Sequence, residues 1–357
     1  SGGVGWPLAI SGRKAFSVTV DAERNELASR YHRFAVREAC GRSKLYEHLA
    51  MSISEDAEVL GLISALPQPK QQPNLLLAAY RHLFGIPSNY SEFKRVLVKR
   101  FDAVRSIILR RSTQTNEPGR CALLLPVLAK LPQPLALLEV GASAGLCLFP
   151  DRYGYEYPSR SLRPCGEDNS YPVFPCKAAA NIQLPETLPQ IVWRAGLDLN
   201  PLDAGDKDEA AWLETLIWPE QVERRNRLRL ALGIVAAEQP TIVKGDLLGP
   251  EFAALCLQAP QDATLVVFHT AVLAYVPNNG DRMGFARQVS ALSDIWICNE
   301  APGVMPHFGF SSADAPSQGA FLLSVNNQPT AWTDPHGAWI ETITTAKSIS
   351  EGAVRRD

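Results

Sequence analysis

The sequence predicts an α/β protein in which an all-helical amino-terminal part precedes a mostly parallel β-sheet. Up to about residue 130, apolar residues recur at spacings of three and four, which is typical of amphipathic helices. From Leu131 onward, short apolar runs alternate with helical stretches, which is typical of a parallel sheet covered on both faces. We therefore expect a helical domain or lid over residues 1–130 and a sheet domain over residues 131–357.

Helices account for the first part of the chain. Ser43 is a suitable cap for the second of them, and Pro67 ends it. A further helix, Cys121–Ala129, directly precedes the first strand. The four earlier helices are predicted at Asp21–Ala39, Lys44–Leu66, Pro73–Phe84 and Tyr90–Arg111.

The sheet is predicted from five apolar runs with helices between the later ones. The strands are Leu135–Val140, Ile191–Arg194, Thr241–Lys244, Thr264–Phe268 and Asp294–Cys298. The helices are Glu209–Leu216, Glu220–Glu238, Glu251–Leu257 and Arg282–Leu292. Two further runs, Phe321–Val325 and Trp339–Ile343, have no helix between them and predict an antiparallel hairpin at the sheet edge. The Phe149–Pro189 segment, rich in Pro, Tyr, Ser and Asn, is interpreted as an insertion between the first two strands.

Composition limits the partners of this chain. Its 357 residues are 46% hydrophobic and 20% charged, and the formal net charge is −2. These values are typical of a folded domain and require neither nucleic acid nor a membrane. No apolar run reaches the roughly 18 residues that span a bilayer. Seven scattered cysteines without a CxxC pair indicate reduced thiols in a cytoplasmic protein and no metal site, although Cys165 and Cys176 leave pairing or metal binding open.

A small-residue loop follows the first strand. The segment runs Glu139-Val140-Gly141-Ala142-Ser143-Ala144-Gly145-Leu146. Small residues allow a sharp turn and a close approach of the backbone to a ligand. We expect a helix to follow, whose free N–H groups favour a carboxylate, a ribose hydroxyl or a phosphate.

The loop resembles motif I of class I methyltransferases, Glu/Asp-x-Gly-x-Gly-x-Gly. Glu139, Gly141 and Gly145 are in register, and Ser143 replaces the middle glycine. The resemblance implies a Rossmann-like domain with S-adenosylmethionine as cofactor. The predicted cofactor-binding residues in the loop are Glu139, Gly141, Ala142, Ser143 and Gly145.

Acidic residues follow the next two strands. Asp198 would face the ribose hydroxyls, which is the role of an acid at this strand end in Rossmann domains. Asp246 follows the third strand, where the resemblance implies a contact with the adenine amino group. The insertion accounts for the long separation between Glu139 and Asp198.

Three further residues are candidates for catalysis. His269 follows the fourth strand and is suited to act as a general base or to contact the cofactor, although a structural histidine is an equal alternative. Glu300 lies at the next strand end. Glu117 belongs to the polar cluster Gln114–Cys121, in which Asn116, Glu117 and Arg120 either project into the cleft or form a helix-entry turn capped by Asn116.

Several segments together resemble a bacterial family of uncharacterised proteins, domain of unknown function 2332. The resemblance extends from about Tyr31 to Glu341 and implies a fold for the whole length, with a methyltransferase-like domain but no established reaction. The segments that carry it are Gln72–Leu75, Gln114–Glu117, Glu139–Leu146, Asp198–Asp203 and Phe268–Thr270.

Three functions are compatible with these residues. The first is methyl transfer from S-adenosylmethionine to an unknown small molecule. The second is serine hydrolysis, since Gly141–Gly145 also has the form G-x-S-x-G of a nucleophile elbow. The third is a non-catalytic ligand-binding protein of the same fold. For the hydrolase, the triad would combine Ser143 with Asp246 or Asp294 and with His269, His307 or His336.

Overall fold

The structure is a computed structural model that describes residues 24–114, 116–166 and 170–343. It has a mixed α/β architecture with amino-terminal helices and a large, mostly parallel sheet, as the sequence predicts. The chain forms two compact units, one with residues 24–114 and 211–225 and the other with the remaining described residues. The assignment of a separate lid domain to residues 1–130 stays a prediction.

The first unit consists of helices. Helix α1 is described over residues 24–34 and continues into a π-turn at Ala35–Ala39, and its predicted start at Asp21 lies outside the described residues. The following helices are α2 Lys44–Glu55, α3 Ala57–Ser64, α4 Pro73–Phe84, α5 Tyr90–Lys99 and α6 Phe101–Arg110.

Two helices predicted as continuous are interrupted. Ser43 caps α2 as predicted, because its side chain accepts a hydrogen bond from the Tyr46 N–H at 3.0 Å. The helix predicted to reach Leu66 instead breaks at Asp56, whose carboxylate accepts the N–H groups at the start of α3. Aspartate competes in this way with the helical hydrogen bonds of its own backbone. The helix predicted over Tyr90–Arg111 also divides, at Arg100, although the Arg100 side chain does not cap α6.

The second unit is built on a sheet of nine strands in the order β5-β12-β11-β10-β9-β8-β1-β6-β7. Strands β7, β6, β1, β8 and β9 are parallel to one another, and the five predicted parallel strands are confirmed. The strands are β1 Leu135–Val140, β5 Lys177–Ala178, β6 Ile191–Asp198, β7 Thr241–Lys244, β8 Thr264–Thr270, β9 Ile295–Glu300, β10 Phe321–Val325, β11 Gln328–Thr333 and β12 Trp339–Thr342.

Strand β1 lies at the centre of the parallel part. Leu135 pairs with Ile191 of β6 on one side and with Thr264 of β8 on the other. The chain moves outward in one direction through β6 and β7 and in the other through β8 and β9, so the strand order reverses at β1. Open sheets bind ligands at the carboxyl ends of the strands at such a reversal.

The prediction of a single carboxyl-terminal hairpin is wrong. An additional strand, β11, pairs antiparallel with both β10 and β12. Asn326 and Asn327, with φ of 47° and 64°, form the two-residue turn between β10 and β11. Both residues adopt the left-handed region that such tight hairpin turns require. Pro329 obscured this strand in the sequence, because proline is uncommon within sheets.

Five further helices in the described part of the chain lie between the strands or before them. They are α7 Cys121–Leu128, α8 Lys207–Leu216, α9 Val222–Glu238, α10 Pro250–Cys256 and α11 Asn279–Leu292. Phe252 of α10 and Phe285 of α11 pack with Leu138 of β1 in one buried core on one face of the sheet. Among the described residues, no helix is both long enough and apolar enough to cross a membrane.

The insertion after β1 forms a small sheet of its own. Strands β2 Gly154–Tyr157, β3 Arg160–Leu162 and β4 Val173–Pro175 pair in the order β3-β2-β4. The described residues 141–166 and 170–190 contain no α-helix. The same finding corrects the expectation of a helix directly after the glycine loop. Only a 3-10 turn, Leu146–Leu148, follows there.

Three buried tyrosines hold the segment that replaces this helix. The hydroxyl of Tyr153 donates to the Leu146 carbonyl at 2.7 Å, and that of Tyr155 donates to the Pro150 carbonyl at 2.6 Å. The hydroxyl of Tyr157 donates to a carbonyl of α7 at 2.7 Å. Burial raises the pKa of the Tyr153 and Tyr155 hydroxyls well above the usual range, so both remain protonated donors. Side chains thus supply donors to carbonyls after the glycine loop.

Tyr153→Phe should lower the free energy of unfolding by about 1–3 kcal/mol, because it leaves the Leu146 carbonyl without its donor in a buried position. Urea denaturation of the full chain measures this change. Tyr275→Phe is the matched control, since Tyr275 is 80% exposed. Equal stability of the two variants would contradict the role of the Tyr153 hydroxyl.

Candidate functional site

The turn that follows β1 has an unusual backbone. Gly141 and Gly145 have φ of 74° and 76°, and Ser143 has φ of 50°. Glycine adopts this left-handed region without strain, whereas serine does so at a cost. A Cβ at Gly141 would also overlap the side chain of Val272, from the segment after β8. We call residues Gly141–Gly145 the glycine turn.

Three N–H groups of the glycine turn donate to backbone carbonyls. The Leu197 carbonyl of β6 accepts from Gly141 at 2.7 Å and from Ala142 at 3.2 Å. The Gly145 N–H donates to the Ala142 carbonyl at 2.6 Å. Contacts of Gly141, Ala142 and Gly145 with a cofactor stay a prediction. In the structure, the N–H groups of these residues donate to carbonyl groups of the protein itself.

Asp198, at the end of β6, contacts the glycine turn directly. Its Oδ2 accepts the Ser143 N–H at 2.8 Å, and its Oδ1 accepts the Asn200 N–H at 2.7 Å. The residue is partly exposed. The structure therefore brings together two of the predicted site elements, the carboxylate of Asp198 and the turn after β1.

Asn116 completes the hydrogen bonding of the turn. Its Oδ1 accepts the Ala144 N–H at 3.1 Å, and its Nδ2 donates to the Ser143 hydroxyl at 2.7 Å. The alternative in which Asn116 caps a helix-entry turn is wrong. Glu117 takes that position, because its Oε1 accepts the Gly119 N–H at 3.1 Å.

Glu117 and Arg120 are both buried. The second carboxylate oxygen of Glu117 lies 3.8 Å from the Nδ1 of His336. Arg120 donates through Nη1 to the carbonyl and the hydroxyl of Thr270, at 3.0 Å each, and through Nε to the Pro335 carbonyl at 2.8 Å. Arg120 therefore joins the end of β8 to the segment between β11 and β12.

Glu139 is 4% exposed, and its Oε2 has no hydrogen-bond partner among the described residues. Burial raises the pKa of this carboxyl well above its usual value. The neighbouring Cys147 acts in the same direction, whereas the Arg120 guanidinium opposes the shift. The surroundings of Glu139 thus favour its protonated form.

His269 and Glu300 form a buried pair. The Nδ1 of His269 lies 2.7 Å from the Oε1 of Glu300, which also accepts the N–H groups of Val272 and Leu273 at 2.8 and 3.0 Å. The imidazole packs beside an aromatic ring of α11, and its Nε2 has no partner among the described residues. Both side chains therefore support the segment after β8 from within the core, and their predicted roles in catalysis stay predictions.

Asp246 follows β7 and is exposed. Its Oδ1 accepts the Leu248 N–H at 2.9 Å and so closes its own turn. The preceding residue, Gly245, donates its N–H to the Asp198 carbonyl at 3.0 Å. The backbones after β6 and β7 are therefore adjacent, while the carboxylate of Asp246 is engaged locally.

A pocket of about 340 Å³ borders the glycine turn at Ala144. The segment after β6 forms one wall and is tied to the turn, because the Leu202 N–H donates to the Ser143 carbonyl at 3.1 Å. The family resemblance included this segment, but no signal in the sequence pointed to the wall formed by the end of α9. The lining residues are Ala144, Pro201, Leu202, Asp203, Ala204, Val235, Ala236, Gln239, Pro240 and Ile242.

The described part of the chain contains no cluster of His, Cys, Asp or Glu side chains suited to a metal ion. All seven cysteines are free thiols, including the exposed Cys165 and the buried Cys176.

These features define an α/β protein in which the glycine turn and the Asp198 carboxylate lie at the carboxyl ends of β1 and β6, with a pocket beside the turn. The chain belongs to the DUF2332 family, described as an uncharacterized protein conserved in bacteria, whose model matches residues 28–342. No curated protein matches the chain significantly.

Gly141→Ala should lower the free energy of unfolding by about 2–4 kcal/mol, since it adds both left-handed strain and overlap with Val272. The double variant Gly141→Ala/Val272→Ala should recover the part that comes from overlap. Gly233→Ala is the control, because Gly233 is exposed on α9 with no atom within 4 Å of an added Cβ. Equal effects of the two single variants in urea denaturation would contradict this assignment.

Glu139→Gln should stabilise the protein increasingly as the pH rises above the ordinary carboxyl value of 4.5. Above that pH the unfolded carboxyl ionises while the folded one retains its proton, so unfolding releases a proton and wild-type stability falls. Glutamine removes this loss, and we expect a gain of about 1–3 kcal/mol at pH 8 that vanishes near pH 4.

Urea denaturation across this pH range measures the difference. The exposed Glu186→Gln is the control and should show no such dependence on pH. A constant difference between Glu139→Gln and wild type at all pH values would refute the role assigned to burial.

Proposed function

We propose that this protein binds S-adenosylmethionine at the carboxyl ends of β1 and β6 and transfers its methyl group to a small molecule. The observation that carries the proposal is the Asp198 carboxylate, which is partly exposed and held against the glycine turn by the Ser143 N–H. In Rossmann-like domains, an acid at the end of this strand binds the ribose hydroxyls.

The hydrogen bonds of Asp198 leave capacity for a ribose. Each of its oxygens accepts one backbone N–H, from Ser143 and from Asn200. An ionised carboxylate offers about four acceptor positions, so each oxygen retains one. The two backbone donors also fix the orientation of the carboxylate before a ligand binds, which reduces the entropy lost on binding.

The surroundings of Asp198 suit a nucleoside. The pocket that borders the glycine turn at Ala144 does not have Asp198 in its lining, but its volume of about 340 Å³ is within the range of about 300–1,000 Å³ that is common for small-molecule sites. Most of its lining residues are apolar in type, with Asp203 and Gln239 as exceptions, but polar atoms form the larger part of its surface. Asp246, in the turn beside Asp198, would contact the adenine amino group.

When bound, the cofactor supplies an electrophilic methyl group. The chain would then act mainly by aligning the reactants. Asp198 and the glycine turn would hold the nucleoside, and the same site would position the acceptor. Because His269 and Glu300 are buried in the core, acceptors that carry a free nucleophile and need no base are favoured.

Asp198→Asn should weaken the binding of S-adenosylhomocysteine about tenfold or more, because the ribose hydroxyls would lose a charged acceptor. Calorimetric titration of the full chain measures the dissociation constant. Asp262→Asn, at an exposed turn before β8, is the matched control and should bind as wild type does. Absence of binding heat and of a thermal shift for wild type at millimolar ligand would refute the proposal. Binding without turnover on a broad acceptor panel would instead favour a non-catalytic protein of this fold.

A serine hydrolase is the second candidate, and one observation favours it. Ser143 has the left-handed backbone, with φ of 50°, that a strained nucleophile elbow requires. Against it, His269 is fully buried, and its Nε2 forms no hydrogen bond with Ser143 or with any other described residue. Labelling of wild type, but not of Ser143→Ala, by a fluorophosphonate probe would support the hydrolase.

A further inference from the structure

We propose that Asn116 determines which nucleosides the site accepts. Its side chain accepts the Ala144 N–H, which is the donor of the glycine turn that an anionic ligand group would need. This inference rests on the proposed nucleoside site and concerns the substituent on the 5′ carbon of the ligand. The site would favour nucleosides with an uncharged substituent there, and the carboxylate of S-adenosylmethionine or S-adenosylhomocysteine would reach the turn only by displacing the Asn116 side chain, at a cost in affinity.

The acceptors of the glycine turn differ in how easily they can move. The N–H groups of Gly141, Ala142 and Gly145 donate to backbone carbonyls, which are fixed by the strand and the turn themselves. The Ser143 N–H donates to Asp198, the residue assigned to the ribose. Only the Ala144 N–H donates to a neutral terminal amide, which rotation of one side chain can withdraw.

Asn116 is held at this position by two contacts. Its Oδ1 accepts from Ala144 at 3.1 Å, and its Nδ2 donates to the Ser143 hydroxyl at 2.7 Å. Both bonds join neutral groups and are therefore individually modest. A ligand carboxylate at the Ala144 N–H would form a stronger, charge-assisted bond, so displacement is possible at the cost of these two contacts.

Charge acts in the same direction. The Asp198 carboxylate binds the N–H of Ser143, the residue next to Ala144, and would repel a second carboxylate at the turn. The buried Glu139 on β1 favours its protonated form and so leaves Asp198 as the charge that acts at the turn. The turn also leads into a 3-10 turn of three residues, which provides no helix dipole to attract an anion.

The test compares two ligands with the same nucleoside. S-adenosylhomocysteine carries an amino-acid carboxylate, whereas 5′-methylthioadenosine ends in an uncharged thioether. Calorimetric titration gives both dissociation constants for the full-length wild type, Asn116→Ala, Asn116→Asp and the control Asn278→Ala. Asn278 also accepts a backbone N–H through its side chain, but at the start of α11.

Wild type should bind 5′-methylthioadenosine at least as tightly as S-adenosylhomocysteine. Asn116→Ala frees the Ala144 N–H and should shift the ratio of the two constants about tenfold toward S-adenosylhomocysteine. Asn116→Asp should shift the ratio the other way, because its carboxylate retains the N–H and repels the ligand. The control should leave the ratio unchanged.

The outcomes separate the two proposals. If both nucleosides bind but the ratio is the same in all variants, or moves against these directions, the role of Asn116 is overturned while the nucleoside site stands. If neither nucleoside binds wild type or any variant, the nucleoside site is refuted, and the role of Asn116 with it. If Asn116→Ala does not fold, the shift expected for Asn116→Asp decides the question.

Discussion

The site depends on one requirement, which is that the buried N–H groups of the glycine turn must all find acceptors. Ala142 and Ala144 are almost completely buried, so water cannot serve this purpose. The Leu197 carbonyl, the Asp198 carboxylate and the Asn116 amide meet the requirement, each from a different position in the chain. The need to satisfy the backbone therefore selects the same groups that would surround a ligand, and structural support and recognition cannot be separated at this turn.

Buried carbonyl groups need hydrogen-bond donors in the same way, and this need explains the form of the insertion. A helix after β1 would satisfy its own carbonyls through helical hydrogen bonds, but here only a three-residue 3-10 turn follows. Tyr153 and Tyr155 supply donors from a separate small sheet, at 2.7 and 2.6 Å. The buried aromatic rings also fill the space around the turn with apolar surface. The small sheet of the insertion thus buries this segment and supplies its hydrogen bonds, as a helix does in simpler α/β units.

The sequence predicted most of the sheet, because buried parallel strands appear as apolar runs with helices between them. Strand β11 was not predicted, because it contains Pro329 and proline is uncommon within strands. The turn at Asn326 and Asn327 also has the composition of a loop. At the site, Asp198 was identifiable from its position after a strand. By contrast, the burial of His269 depends on which face of β8 it occupies, and that face is decided by packing against α11, which no local pattern encodes. Long-range hydrogen bonds such as that from Asn116 are equally absent from a linear pattern.

The pairing of β1 has a consequence for the order in which the protein folds during synthesis. Leu135 requires both Ile191 and Thr264 as neighbours, so β1 must wait until residue 264 has been synthesised before both of its edges can be covered. Closing such long loops slows folding and leaves an apolar strand exposed in the meantime. The small sheet of the insertion, whose strands are close in sequence, can form before these partners have been synthesised.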